Sequence, residues 1–283
     1  MKRPLTLTRL MLRGHRAPLR SLALPHEDIA FEATDGVKLS GWFIPAAPER
    51  RPAIVLVHGW MWNRLGNVAG QTVVPDRDVD FVPAITALHE AGYHVLTYDW
   101  RRHGKSADGP GPLTYGPTEA NDFRGALAYL RARADVDPER IGVIGTSAGG
   151  NVALYGSPGE DVKAILAIQP TRLTSFNTNF AKTELGRFGP LMIKPVDLLY
   201  ALLRAPRPSK QDPAIPAARL EDTVVRYVQG TGDPWGELSV VREIAAATPH
   251  GEFMTYPSDG RYEGYAYISE RADDVVAFFD AHV

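Results

Sequence analysis

An α/β fold, a mostly parallel eight-stranded sheet flanked by helices, is what this sequence predicts. Short apolar runs such as Ala53-Ile54-Val55-Leu56-Val57 alternate with stretches of helical periodicity such as Thr118 to Arg133, where Phe123, Ala126, Leu127 and Leu130 share one stripe. The runs lack the in–out alternation of a one-sided sheet, so both faces must be covered, as crossover helices between parallel strands cover them. A third observation is Gly145-Thr146-Ser147-Ala148-Gly149, a Gly-flanked serine between the apolar run ending at Ile144 and a helical stretch from Gly150 to Tyr155.

The elements follow in order. His26 to Thr34 reads as a strand, Asp35-Gly36 as a hairpin turn, and Val37 to Pro45 as the returning strand. Buried strands are expected at 53–57, 93–98, 141–144, 162–168, 224–228 and 252–256, the opening hairpin adding antiparallel strands at one edge. Helices are expected at 81–89, 118–133, 239–247 and 270–282; in the last, Val275, Val276, Phe278 and Phe279 sit at helical spacing. From about 170 to 220 the rhythm breaks into a Pro-rich stretch without a strand, helical after Pro195. An insertion of this size after a strand forms a lid over the site or a surface excursion.

Bulk properties bound the function. The chain has 283 residues, 44% hydrophobic and 23% charged, with a formal net charge of -2. That is enough to bury a large core and gives no polyanionic partner a reason to bind, so no nucleic-acid role is expected. With no cysteine there is no disulfide, thiolate metal site or thiol nucleophile. No apolar run approaches the length of about 18 residues needed for a membrane span. Residues 1–25 form a basic arm in which Lys2, Arg3, Arg9, Arg13, Arg16 and Arg20 precede the first acid, Glu27. Such an arm packs on an acidic body or serves as an organellar presequence; a cytoplasmic chain is the expectation, an organellar one the alternative. No His and carboxylate pair has metal-ligand spacing, and no dinucleotide-type glycine loop follows the first buried strand, so neither metal nor cofactor is expected.

Four local motifs stand at turns after the third, fourth, fifth and seventh expected strands: Val57-His58-Gly59-Trp60; Tyr98-Asp99-Trp100-Arg101-Arg102-His103-Gly104-Lys105-Ser106; Gly145 to Gly149; and Gly230-Thr231-Gly232-Asp233. In this order they resemble the α/β-hydrolase superfamily of esterases, lipases and peptidases, over most of the chain from Ile29 to Phe279, which makes 26–283 one α/β-hydrolase domain with a lid insertion. The resemblance implies that Ser147 is the nucleophile on an elbow, that Asp233 is the triad acid, and that the N–H groups of Trp60 and Ala148 form the oxyanion hole.

The same resemblance calls for a histidine after the eighth strand. That segment reads Pro257-Ser258-Asp259-Gly260-Arg261-Tyr262-Glu263, and no histidine occurs from Gly251 to Ala281. Arg261 or Tyr262 falls at the position instead. Among the eight histidines only His58 and His103 lie on turns at the carboxyl edge of the sheet, where ligands bind. Either is a candidate base, as is Glu263 if desolvated, whereas arginine cannot take a proton. Tyr256, Tyr262, Tyr265 and Tyr267 beside Trp235 line a pocket or simply pack. Two functions follow: a serine hydrolase acting on a small-molecule ester, thioester or amide through Ser147, or a member with a degenerate triad that binds or rearranges a carbonyl compound.

Overall fold

The computed structural model describes residues 14–71 and 76–283. Eight strands form the main sheet: β1 (Glu27–Glu32), β2 (Lys38–Ile44), β3 (Arg51–Val57), β4 (His94–Asp99), β5 (Val136–Thr146), β6 (Ala164–Ile168), β7 (Val224–Gly230) and β8 (His250–Tyr256), in the spatial order β1-β2-β4-β3-β5-β6-β7-β8. β1 pairs antiparallel with β2 and β2 with β4; every other neighbour is parallel. The expected eight strands are all present. A two-residue antiparallel ribbon, Gly66–Asn67 against Val79–Asp80, is additional and too short to leave a periodicity in the sequence.

Alternate residues of the central strands feed two cores. Val55, Val57 and Val143 meet Phe123, Leu127 and Val152 on one face. Ile54, Leu56 and Ile144 meet Ile85, Leu88, Phe278 and Phe279 on the other. The covering helices are α1 (Val82–Glu90) and α10 (Ala272–His282) on the second face, and α2 (Ala120–Arg131), α3 (Ala148–Gly156) and α7 (Leu238–Ala247) on the first. Strand order reverses between β3 and β5, so their carboxyl ends diverge and open a crevice at the sheet's upper edge.

Between β6 and β7 the insertion carries α4 (Leu173–Leu185), α5 (Ile193–Leu202) and the single-turn α6 (Ala214–Ala217). The helix expected after Pro195 starts at Ile193. Pro195 falls in its first turn, where a missing N–H sacrifices no helical bond. α4 had no counterpart among the expected elements: only Leu173 of it is buried, so its sequence shows no core stripe. After β8 come two short helices, α8 (Arg261–Tyr265) and α9 (Tyr267–Glu270).

Residues 14–25 of the arm contain no helix or strand. Arg16 donates to the carbonyls of Gly104 and Ser106 and pairs with Asp108 at 2.6 Å, and Arg20 pairs with Asp78 at 2.5 Å. Lys2, Arg3, Arg9 and Arg13 lie outside the described residues.

Candidate active site

The turn after β5 is built to force one serine out of line. Ser147 sits at φ 53°, ψ -122°, a conformation that costs a non-glycine residue about 1–3 kcal/mol and persists only where its surroundings hold it. The neighbouring glycines are required. A Cβ on Gly149 would lie 2.1 Å from the Val57 carbonyl oxygen, and one on Gly145 would meet the Gly149 oxygen and Gly150 at 2.7 Å. The bend therefore folds tightly against the end of β3. There Gly59 approaches so closely that an added Cβ would stand 3.2 Å from the Ser147 Cβ.

This approach sets Trp60 and Ala148 beside the serine, all three lining one cavity. Ala148 opens α3, so its N–H has no partner within the helix. Neither the Trp60 nor the Ala148 amide donates to a protein acceptor among the described residues. Two such amides, one of them opening a helix, suit an oxygen that gains negative charge.

Asp233 follows β7, as expected. Its Oδ1 accepts from the backbone N–H groups of Trp235 (2.9 Å) and Gly236 (3.0 Å), and its Oδ2 from Gln229 Nε2 (3.1 Å). The fourth partner is Arg261. Its Nη1 donates to Asp233 Oδ2 and its Nη2 donates to Ser147 Oγ at 3.0 Å, so one guanidinium joins the acid to the serine. Both charged side chains are almost wholly buried. Burial works against the Arg261 charge, but Asp233 beside it prevails and holds its pKa above the ordinary value. Gln169, at the end of β6, fixes the arginine's backbone: its Nε2 donates to the Arg261 carbonyl at 2.8 Å while its Oε1 accepts from the Gly230 N–H. The guanidinium plane also lies 4.9 Å from the Phe176 ring centre and 5.3 Å from that of Tyr265.

Of the other candidate bases, His58, His103 and Glu263 bond to groups other than Ser147. His58 has Nδ1 2.7 Å from the Gly59 carbonyl oxygen and Nε2 3.3 Å from the Trp100 amide. His103 accepts from the Met61 N–H at Nε2 and holds the Arg101 carbonyl with Nδ1. The two rings and Trp100 form one buried cluster beneath the turns they shape, with both nitrogens of each ring already engaged. Glu263 turns to Arg77, pairing at 2.7 Å. Tyr262 does reach the serine's surroundings, lining a cavity with Ser147 and Trp62.

Burial pulls His58 down to about 4, only partly opposed by Asp99, and pulls His103 well below its usual value, with His58 adding to the effect. The unfolded chain therefore binds more protons than the folded one once pH falls below about 6.5, and stability is lost from there toward pH 4. For His58 alone the loss by pH 4 is about 3 kcal/mol, at about 1.4 kcal/mol per pH unit. Denaturant midpoints taken from pH 7 to pH 4.5 are expected to fall steadily; a flat profile would contradict the neutral, buried state of both rings.

Two narrow cavities meet at Ser147. One of about 40 Å³ is lined by Trp60, Tyr115, Ala148, Asn151, Leu173, Phe176 and Phe180 among others. The second, of about 30 Å³, lies on the Arg261 side among Trp62, Trp235, Tyr262 and Tyr265. The insertion thus covers the serine, through α4. Phe176 and Phe180 stack on each other at 5.6 Å and present edges to Trp235. The Trp60 Nε1 and Tyr115 hydroxyl, whose side chains border the first cavity, are buried without hydrogen-bond partners among the described residues. The Tyr265 hydroxyl is likewise buried, near Ser147 and Gln169 but aligned with neither; burial lifts it to about 12 and Arg261 only partly opposes this, so it stays protonated. Of the aromatic cluster foreseen here, Tyr262, Tyr265 and Trp235 line the site. Tyr256 and Tyr267 instead pack on each other and donate to Glu270 and Asp274.

Gln169, Phe176 and Phe180 were not foreseen. Gln169 alone left a trace, its position at the carboxyl end of a buried strand. Among the described residues no three His, Asp or Glu side chains converge as metal ligands, and no helix is long and apolar enough to cross a membrane.

Comparison with known proteins agrees with this architecture. Residues 54–280 match the model of the alpha/beta hydrolase family. The uncharacterized protein YfhR of Salmonella typhi is 36% identical over 132 residues, 45% of this chain and 39% of its own length, so the chain spans about two fifths of that relative. The alpha/beta hydrolase domain-containing protein WAV2 of Arabidopsis thaliana is 28% identical over 247 residues, 84% of this chain and 72% of that one. Among solved structures, the Pyrococcus furiosus esterase Pf2001 superposes with a TM-score of 0.72 at 22% identity, over 96% of this chain and 99% of its own, a likeness of fold. The chain belongs to the alpha/beta hydrolase family.

Proposed function

We propose that the cavity at Ser147 receives the carbonyl group of a small ester or thioester, and that acyl transfer there runs on electrostatic stabilisation without a general base. The observation that carries this reading is Arg261, which stands between Asp233 and Ser147 Oγ and cannot accept a proton. The serine proton then leaves to solvent hydroxide. The Arg261 Nη2–H, already donating to Oγ, favours the resulting alkoxide. Oγ attacks the carbonyl carbon, and the carbonyl oxygen takes the electron pair between the Trp60 and Ala148 N–H groups. Collapse expels the leaving group with its own electron pair. Hydroxide hydrolyses the acyl-serine by the same route in reverse, and Ser147 regains its proton from water.

The missing imidazole is a missing general acid as well as a missing base. A leaving group must depart as an anion, which thiolates and aryloxides do and alkoxides and amines do not. Matched substrates differing only in leaving group are therefore expected to separate by about 10²–10⁴-fold, the usual worth of proton transfer by a placed side chain. Thioester and aryl ester turn over, while alkyl ester and amide do not. Ser147→Ala is expected to abolish turnover. Amide cleavage at a rate near that of the aryl ester would exclude this chemistry.

A second reading, binding or rearrangement without hydrolysis, is favoured by the same guanidinium: Arg261 and Asp233 neutralise each other and leave no group at the serine to move a proton. It is distinguished by calorimetry. A carboxylate or ester that binds the native chain and Ser147→Ala alike, with no turnover by either, supports it.

A further inference from the structure

We infer that the outer face of the insertion docks on an anionic lipid surface. All seven large apolar side chains that are exposed among the described residues lie between Phe188 and Ile215, in this one segment. They are ordered. Leu191, Leu198 and Leu202 project from one side of α5 and the turn before it, at spacings of seven and four residues, and are 71%, 60% and 73% exposed; Phe188 extends the stripe by one turn. The opposite side of α5 turns inward through Tyr200, whose hydroxyl donates to the Leu113 carbonyl at 2.6 Å. The helix is thus amphipathic with an apolar stripe facing out, the reverse of a helix whose core face satisfies it.

Charge identifies the occupant. Between 182 and 210 stand six basic residues, Lys182, Arg187, Lys194, Arg204, Arg207 and Lys210, against two acids, Glu184 and Asp197, in a chain whose formal net charge is -2. All six are exposed, and none makes a salt bridge among the described residues, although most arginines of the body do. A leucine stripe among exposed cations that no carboxylate neutralises fits a lipid interface, where the side chains enter the acyl boundary and the cations meet anionic headgroups. A second copy of the chain fits worse, because a two-fold contact would set the same cationic patch against itself. The inner side of the same insertion, through Phe176 and Phe180, closes over Ser147, so docking would put the cover of that cavity against the lipid.

Vesicle flotation of the full chain tests this. Binding to phosphatidylcholine mixed with phosphatidylglycerol is expected to exceed binding to phosphatidylcholine alone by about tenfold or more, and to weaken as salt is raised. Leu198→Glu with Leu202→Glu is expected to reduce binding by at least about tenfold. Both positions are exposed, so the thermal midpoint should not move, and an unchanged midpoint shows that the fold survives. Arg204→Glu with Arg207→Glu should remove the preference for the anionic vesicle. Equal binding to both vesicles, no binding to either, or self-association without lipid that the leucine pair abolishes would each overturn the inference.

Discussion

Arg261→His is expected to raise aryl-ester kcat/KM by on the order of 10²-fold or more and to admit alkyl esters that the native chain leaves untouched, because a placed general base and acid is worth about 10²–10⁴-fold. Everything else that such a base needs is already in position. Ser147 is held in its strained bend, two amides without protein acceptors flank it, and Asp233 is fixed by three donors besides Arg261. The two Nη atoms of Arg261 contact Asp233 and Ser147 in the way the two ring nitrogens of a triad histidine would. Histidine is shorter than arginine, so part of the possible gain is lost to distance, and Gln169 holding the backbone limits how far position 261 can move to compensate. Tyr262→His is the control. Its side chain lines the same cavity but faces Trp62 and Tyr265, and it is expected to gain nothing. A gain in Tyr262→His alone would mean that the base belongs one residue further on.

Asp233→Ala is expected to lower stability by about 3–5 kcal/mol, the cost of leaving a buried cation without its counter-ion. In a chain of this size that is a fall in Tm on the order of 10 °C. The larger part of the loss comes from Arg261, which retains only the Ser147 hydroxyl, the Gln169 carbonyl and two aromatic faces as partners. Removing both charges is the informative comparison. Arg261→Met with Asp233→Ala should be more stable than Asp233→Ala alone, since no unpaired charge remains. Calorimetric melting of Asp233→Ala, Arg261→Met and the double variant checks this; strict additivity of the two single changes would show that the pair is not coupled.

The sheet was legible because its signals are local: apolar runs of strand length, helical stripes between them, and a Gly-x-Ser-x-Gly turn in which Gly145 must lack a Cβ because Gly149 and Gly150 fold back on it. Asp233 was legible for the same reason, as a turn residue after a strand. What replaces the histidine was legible only as a gap. Arg261 and Tyr262 are neighbours in sequence, and the choice between them depends on where α8 begins and on Gln169, more than ninety residues away, gripping the Arg261 carbonyl. His58 and His103 were candidates by position on the crevice, and only their packing on Trp100, a contact between two different turns, shows that their nitrogens are spent. The helix α4 within the expected lid insertion escaped for a related reason. Its residues face a cavity and one another, not a continuous core, so Phe176 and Phe180 leave no periodic stripe.

The central claim, that Ser147 acts with a cation and no base beside it, is tested most directly by the pH dependence of its reaction with a fluorophosphonate. The expected result is a labelling rate that climbs continuously with hydroxide from neutral to alkaline pH, carries no inflection in the imidazole range, and vanishes in Ser147→Ala. A rate that levels off with an apparent pKa near that of histidine, about 6.5, would contradict it by showing that an imidazole takes the serine's proton.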